Sequence, residues 1–160
     1  MITAIAEKEK EQQFRRDIAN FEYQLAKLPN AKIGHEMDET LCPLKHTFIK
    51  GSYRREIFMP KGLSITSKIH KFEHFYFILK GRCLVRTENG VEELVAPYQG
   101  VTPAGTKRGI QVLEDTIWVT IHVTDETDLY KIEEQIIAKS FDDPALSYDK
   151  QKKIEEANCV

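Results

Sequence analysis

The sequence predicts a mainly β domain, a sandwich or barrel flanked by helices. Three observations carry this. Short runs rich in β-branched and aromatic residues follow one another from about Leu44 to Val123. Most of them end in Gly, Pro-Lys-Gly or Asn-Gly, the punctuation of tight turns. On either side the hydrophobic spacing changes to that of helices. At 160 residues, 41% hydrophobic and 30% charged, the chain suits one globular domain with a proper core.

In order along the chain, residues from about 5 to 28 read as a helix. Phe14, Ile18, Phe21, Leu25 and Leu28 recur at helical spacing with charges between them. That narrow apolar stripe is expected to dock on the protein's own barrel or on a sister subunit. Pro29, Asn30 and Gly34 then break it. "KHTFIKG", "YRREIFMPKG", "LSITSKIH", "FYFILKG", "CLVRTENG", "VEELVAP" and "TIWVTIHV" are the expected strands. Asn89-Gly90 is expected to close a hairpin through a type I′ turn, which needs positive φ at both centres. Along the last strand Ile117, Val119, Ile121 and Val123 share one face, with Trp118, Thr120 and His122 on the other. The more apolar face is expected inside, which places His122 outside. "TDETDLYKIEEQIIAKS" reads as a second helix capped by Thr124 or Asp125, with Leu129, Ile132 and Ile136 on one face. A further short helix is expected in "YDKQKKIEEANCV". The organisation is thus 1–40 helix and linker, 41–124 barrel, and 125–160 helical tail.

Composition narrows the function. A net charge of −2 gives no basic excess for a nucleic-acid partner, and Arg54, Arg55, Arg82 and Arg86 are interleaved with acids. The N-terminus lacks the apolar core of a signal peptide, and "FYFIL" is too short to cross a bilayer. Cys42, Cys83 and Cys159 are odd in number and far apart, so no disulfide framework is suggested and a reduced cytosolic setting is expected. Nothing matches a nucleophile with its base or a phosphate-cradling glycine loop.

"SKIHKFEHFYFILKG", residues 67 to 81, and "TPAGTKRG" together resemble the two motifs of the cupin superfamily. Its first motif runs from a His-x-His pair to Glu and a closing Gly. Here those positions read Lys68, His70, His74 and Gly81. The second motif centres on Pro-x-Gly and a His, read here as Pro103, Gly105 and Arg108. Over residues 41 to 139 the chain looks like small cupin proteins encoded by tailed bacteriophages. The resemblance implies a jelly-roll β-barrel that forms a dimer or higher homo-oligomer, located in a host cytoplasm or a virion.

Two site readings stay open. In the metal reading His70 and His74 hold one divalent transition-metal ion, with His46, Glu73, Glu114 or His122 as the missing third ligand. Lys68 and Arg108 oppose it, because each directs a positive charge at the ion's position. In the anion reading Lys68, Arg108 and Lys107 surround the histidines and bind a phosphate, carboxylate or sugar acid. Tyr76 alternates with His74 and is a candidate acid or base. Three functions follow: a non-catalytic binding or virion assembly module with other phage proteins as partners, a metal-dependent enzyme of dioxygenase, isomerase or epimerase type, or a binder of an anionic metabolite or signalling nucleotide. Ligand positions held by cations favour the first.

Overall fold

The computed structural model describes residues 2–29 and 39–146. Helix α1 (Ile2–Leu25) precedes an antiparallel β fold, and a short helix α2 (Leu129–Ile136) follows it. The expected "YDKQKKIEEANCV" helix and Cys159 lie outside the described residues.

Two long strands, β5 (His74–Thr87) and β8 (Gly109–His122), pair along their length and organise the rest. On the far side of β8 lie β2 (Ser52–Met59), at its C-terminal half, and β3 (Ser64–Thr66), at its start. On the far side of β5 lie β7 (Tyr98–Thr102) and β6 (Gly90–Val95). β1 (Leu44–Ile49) extends the sheet beyond β2. A second, small sheet joins β4 (Ile69–His70) to β9 (Ile137–Ala138), just after α2. The expected β architecture with flanking helices is therefore present. The region after residue 124, expected to be all helix, also contributes this strand.

Strand alternation builds the interior. Ile57 and Met59 of β2, Ile78, Cys83 and Val85 of β5, Leu94 of β6, and Val112 and Trp118 of β8 meet in one cluster. Full burial of such side chains contributes about 1.5–3 kcal/mol each, so this cluster is the main favourable contribution to folding. Gly81, expected to end a strand in a turn, instead lies within β5 at a β-bulge, where the register against β8 shifts. Its φ is +89°, and a Cβ there would sit 2.4 Å from the Asp115 carbonyl oxygen. Only glycine meets both conditions.

The Asn-Gly hairpin is present, but its turn differs from expectation. Thr87 pairs with Gly90, so Glu88 and Asn89 form the loop. Only Gly90 has positive φ there, so the turn is not type I′. The α2 cap also moves: Asp128 accepts from the Tyr130 and Lys131 amides, three residues beyond Asp125. Thr124 and Glu126 spend their side chains on the preceding turn.

Helix α1 docks on this chain's own barrel, burying Phe14, Ile18 and Leu25, while Phe21 and Leu28 of the stripe stay exposed. Its Glu22 carboxylate accepts from Thr66 Oγ1 at 2.5 Å and pairs with Lys107 at 2.6 Å. Among the described residues, no helix is long and apolar enough to cross a membrane.

Candidate metal centre

The interior changes character toward the His74 end of β5. Inward side chains of paired strands lie in rows, because the register fixes which residues stand side by side. Ile57, Trp118 and Ile78 share one row within the apolar cluster. Arg55, Thr120 and Tyr76 share the next, followed by Tyr53 beside His122. The polar rows therefore continue directly from the dry core.

His70, His74 and His122 converge in these rows. Their ligand atoms all lie within 4.8 Å of one another, and all three residues are buried. Ring centroids are 4.2 Å apart for His70 and His74, 4.6 Å for His74 and His122, and 5.1 Å for His70 and His122. Each ring comes from a separate piece of backbone. His74 opens β5 and His122 closes β8. His70 sits on β4, where its carbonyl accepts from the Gly105 amide at 2.8 Å and its strand pairs with β9.

His122 corrects the sequence-based placement. It is only 5% exposed, whereas Val123 on the opposite face is 92% exposed. Phe75 and Val101, neighbours on the outer face, are 59% and 51% exposed. At this end of β8 the alternation rule places the strand wrongly: His122 faces in while Val123 faces out.

The three imidazoles are held neutral. Burial lowers His74 to about 4, assisted by the Arg108 charge and opposed by its bond to the Phe72 carbonyl. Burial, then the His74 and Arg55 charges, lowers His122 to about 3. His70 lies well below the ordinary range through burial and the surrounding cationic groups. A neutral imidazole is the metal-binding form. His74 Nδ1 donates to the Phe72 carbonyl at 3.2 Å, which leaves Nε2 with a free lone pair. His122 Nε2 shares a hydrogen bond with Thr120 Oγ1 at 3.0 Å; when Nε2 donates, Nδ1 carries the free lone pair. Such partners orient ligand rings.

The other candidate ligands are elsewhere. His46 Nδ1 is bound to the Tyr53 hydroxyl at 2.7 Å, outward of the cluster. Glu73 is exposed. Glu114, also exposed, pairs with Arg82 at 3.2 Å.

The two opposing cations have separate fates. Lys68 Nζ donates to Glu133 Oε1 of α2 at 2.5 Å, which balances its charge. Arg108 stays inside, 8% exposed, with Nη2 donating to Thr102 Oγ1 at 2.9 Å. Its guanidinium stacks 5.0 Å from the Tyr76 ring centre and 5.9 Å from that of Trp118. Lys107 belongs to the α1 contact and does not join the cavity. Arg55, read from sequence only as a scattered basic residue, lines the cavity beside His70, His74, Lys68 and Arg108. Arg54, Arg82 and Arg86 pair with Glu56, Glu93 and Asp17 respectively. Tyr76 is packed against Trp118, and burial pushes its hydroxyl up to about 12. It therefore keeps its proton at neutral pH.

No family model and no curated protein matches the chain. Several solved structures are similar to part of the chain. KdgF from Halomonas sp. is 17% identical at a TM-score of 0.48, over 57% of this chain and 88% of its own. A cupin superfamily protein from Desulfitobacterium hafniense is 16% identical at 0.46, over 56% and 84%. A Vibrio parahaemolyticus protein of unknown function is 11% identical at 0.47, over 53% and 90%.

Proposed function

We propose that the barrel is a metal-dependent small-molecule enzyme whose divalent ion is held by His70, His74 and His122. The convergence of three buried, neutral histidines carries this reading. Burying three unprotonated imidazoles side by side has no packing advantage over apolar residues, whereas a divalent transition metal rewards it. The donor set also fits. It is all nitrogen, it comes from three separate backbone segments, and it leaves positions free for water or substrate.

Two arguments made the ligand set look degraded in the sequence: a missing third ligand and two opposing cations. His122 supplies the first, and the Lys68–Glu133 pair removes one of the second. The grounds for preferring a non-catalytic phage assembly module are weakened accordingly. A bound ion would act as a Lewis acid on an oxygen of the ligand or lower the pKa of bound water. The chain's own residues confine the reaction. Trp118 and Ile57 floor the cavity, Thr120 steadies His122, and β9 with Gly105 fixes His70.

Cobalt(II) titration followed by visible absorption tests the proposal. Saturable ligand-field bands at one ion per chain are expected, and they should vanish in His70→Ala, His74→Ala and His122→Ala. A native protein that develops no such bands would sink the metal centre.

A further inference from the structure

We infer that this cavity takes a small carboxylic acid, or the carboxylate end of a larger one, and that Arg108 is its anchor. The inference deepens the proposed function by naming the substrate class, and it rests on the cavity being the binding site rather than on the metal.

Arg108 carries it. Its guanidinium is enclosed, yet among the described residues no carboxylate forms an ion pair with it. Thr102 satisfies one Nη2 donor, Tyr76 bonds the group as well, and Glu88 attracts it only from beyond ion-pair range. Guanidinium does not deprotonate to escape burial. An enclosed, uncompensated charge is costly, so a chain that keeps one has a use for it. Stacking on Tyr76 and near Trp118 fixes the plane of the fork, the arrangement that meets a planar carboxylate through two parallel hydrogen bonds.

The surrounding charge points the same way. Arg55, half-buried on the neighbouring row, also lines the cavity without an ion pair among the described residues. Of the three cations in the lining, Lys68 alone forms an ion pair among the described residues, with Glu133, while Glu133 and Glu39 attract Arg55 from beyond ion-pair range. The histidines are neutral, so the cavity carries excess positive charge even before any metal enters.

Size bounds what the cavity can enclose. The cavity is about 70 Å³, well under the few hundred Å³ of pockets that enclose drug-sized ligands. It encloses a small acid or one end of a larger anion, and not a whole nucleotide. Arg108, His70 and His74 all line the cavity, so an acid with its carboxylate on the guanidinium would have its neighbouring atoms in the same space as these two imidazoles.

Trp118 is the only tryptophan of the chain and lines the cavity, so its emission reports on occupancy. The test titrates metal-free protein with malonate, its uncharged analogue malonamide, and inorganic phosphate, by Trp emission and by calorimetry. Malonate should bind at least tenfold tighter than malonamide and tighter than phosphate. Arg108→Gln should lose malonate at least tenfold, Arg108→Lys should fall between, and both should unfold cooperatively and still take up cobalt. Equal binding of malonate by native and Arg108→Gln protein, or no preference over malonamide, would overturn the inference. Tighter binding of phosphate would overturn the carboxylate assignment. A protein that takes no metal but holds malonate through Arg108 would defeat the proposed enzyme and leave this inference standing.

Discussion

The ring of His122 lies 4.6 Å from that of His74, although the two residues sit at opposite termini of their strands, one closing β8 and one opening β5. Antiparallel pairing of these strands creates the neighbourhood: β8 runs back along β5, so its end returns to the beginning of its partner. The site is thus a consequence of register. A one-residue slip of β8 would turn His122 outward.

This makes His122 the most informative single substitution. His122→Ala should fold as a cooperative unit and lose the stabilisation by metal shown by the native protein. At a free metal concentration one hundred times Kd, that stabilisation is about 2.7 kcal/mol. Thermal unfolding with and without cobalt measures it. An unchanged metal-induced rise in Tm for the variant would remove His122 from the centre.

How much of this was legible in the sequence depends on which rule was used. Turn residues and β-branched runs located most strands, because backbone geometry constrains those positions directly, although Gly81 was read as a strand end and lies at a bulge within β5. His70 and His74 were also legible as a pair. His122 was among the four candidate third ligands but was placed outside, because hydrophobic alternation assumes the apolar face points inward. Here the inward face of β8 near its end carries Thr120 and His122 to serve a cavity, while Ile121 and Val123 face out. A His beside Thr on a strand following a Pro-x-Gly turn was the available signal. Helix α2 as the source of Lys68's counter-ion had no sequence signal, because that contact is set by tertiary packing.

Stability of the metal-free protein should fall with acid. The folded histidines keep depressed pKa values, about 4 for His74 and about 3 for His122, while in the unfolded chain they titrate near 6.5. Below that value the unfolded state binds more protons, so stability is complete above pH 6.5 and declines as pH falls. Each histidine contributes a slope of about 1.4 kcal/mol per pH unit until its folded pKa is reached. Urea unfolding between pH 7.5 and 4.5 reads this, and the slope should shrink in His122→Ala. A flat profile over that range would contradict the buried neutral cluster.

Glu133 should matter to metal uptake without touching the ion. Glu133→Gln leaves the Lys68 ammonium unbalanced at the cavity edge, which should weaken cobalt binding by roughly three- to tenfold. Adding Lys68→Met should restore it. Failure of the second change to rescue the first would show that α2 acts through packing instead.

Arg108→Met should raise thermal stability while destroying acid binding. Replacing an enclosed, uncompensated cation by an apolar side chain of similar length is expected to stabilise by about 1–3 kcal/mol. Denaturant midpoints of native and variant protein measure the difference. Loss of stability instead would mean that Arg108 is held for its packing on Tyr76 and Trp118.

Gly81 tests the frame that presents the site. Gly81→Ala introduces a Cβ 2.4 Å from the Asp115 carbonyl oxygen at a φ of +89°. A loss of about 3 kcal/mol or more is expected, read as a lower urea midpoint. A change under about 1 kcal/mol would show that the β5–β8 bulge relaxes freely.

The most direct measurement of the central claim is a native mass spectrum of the protein after incubation with a limiting mixture of manganese, iron, cobalt, nickel and zinc ions, set beside the three single histidine variants. The account predicts one transition-metal ion per native chain and none in His70→Ala, His74→Ala or His122→Ala. A native chain that emerges without metal, or variants that retain it, would contradict the account.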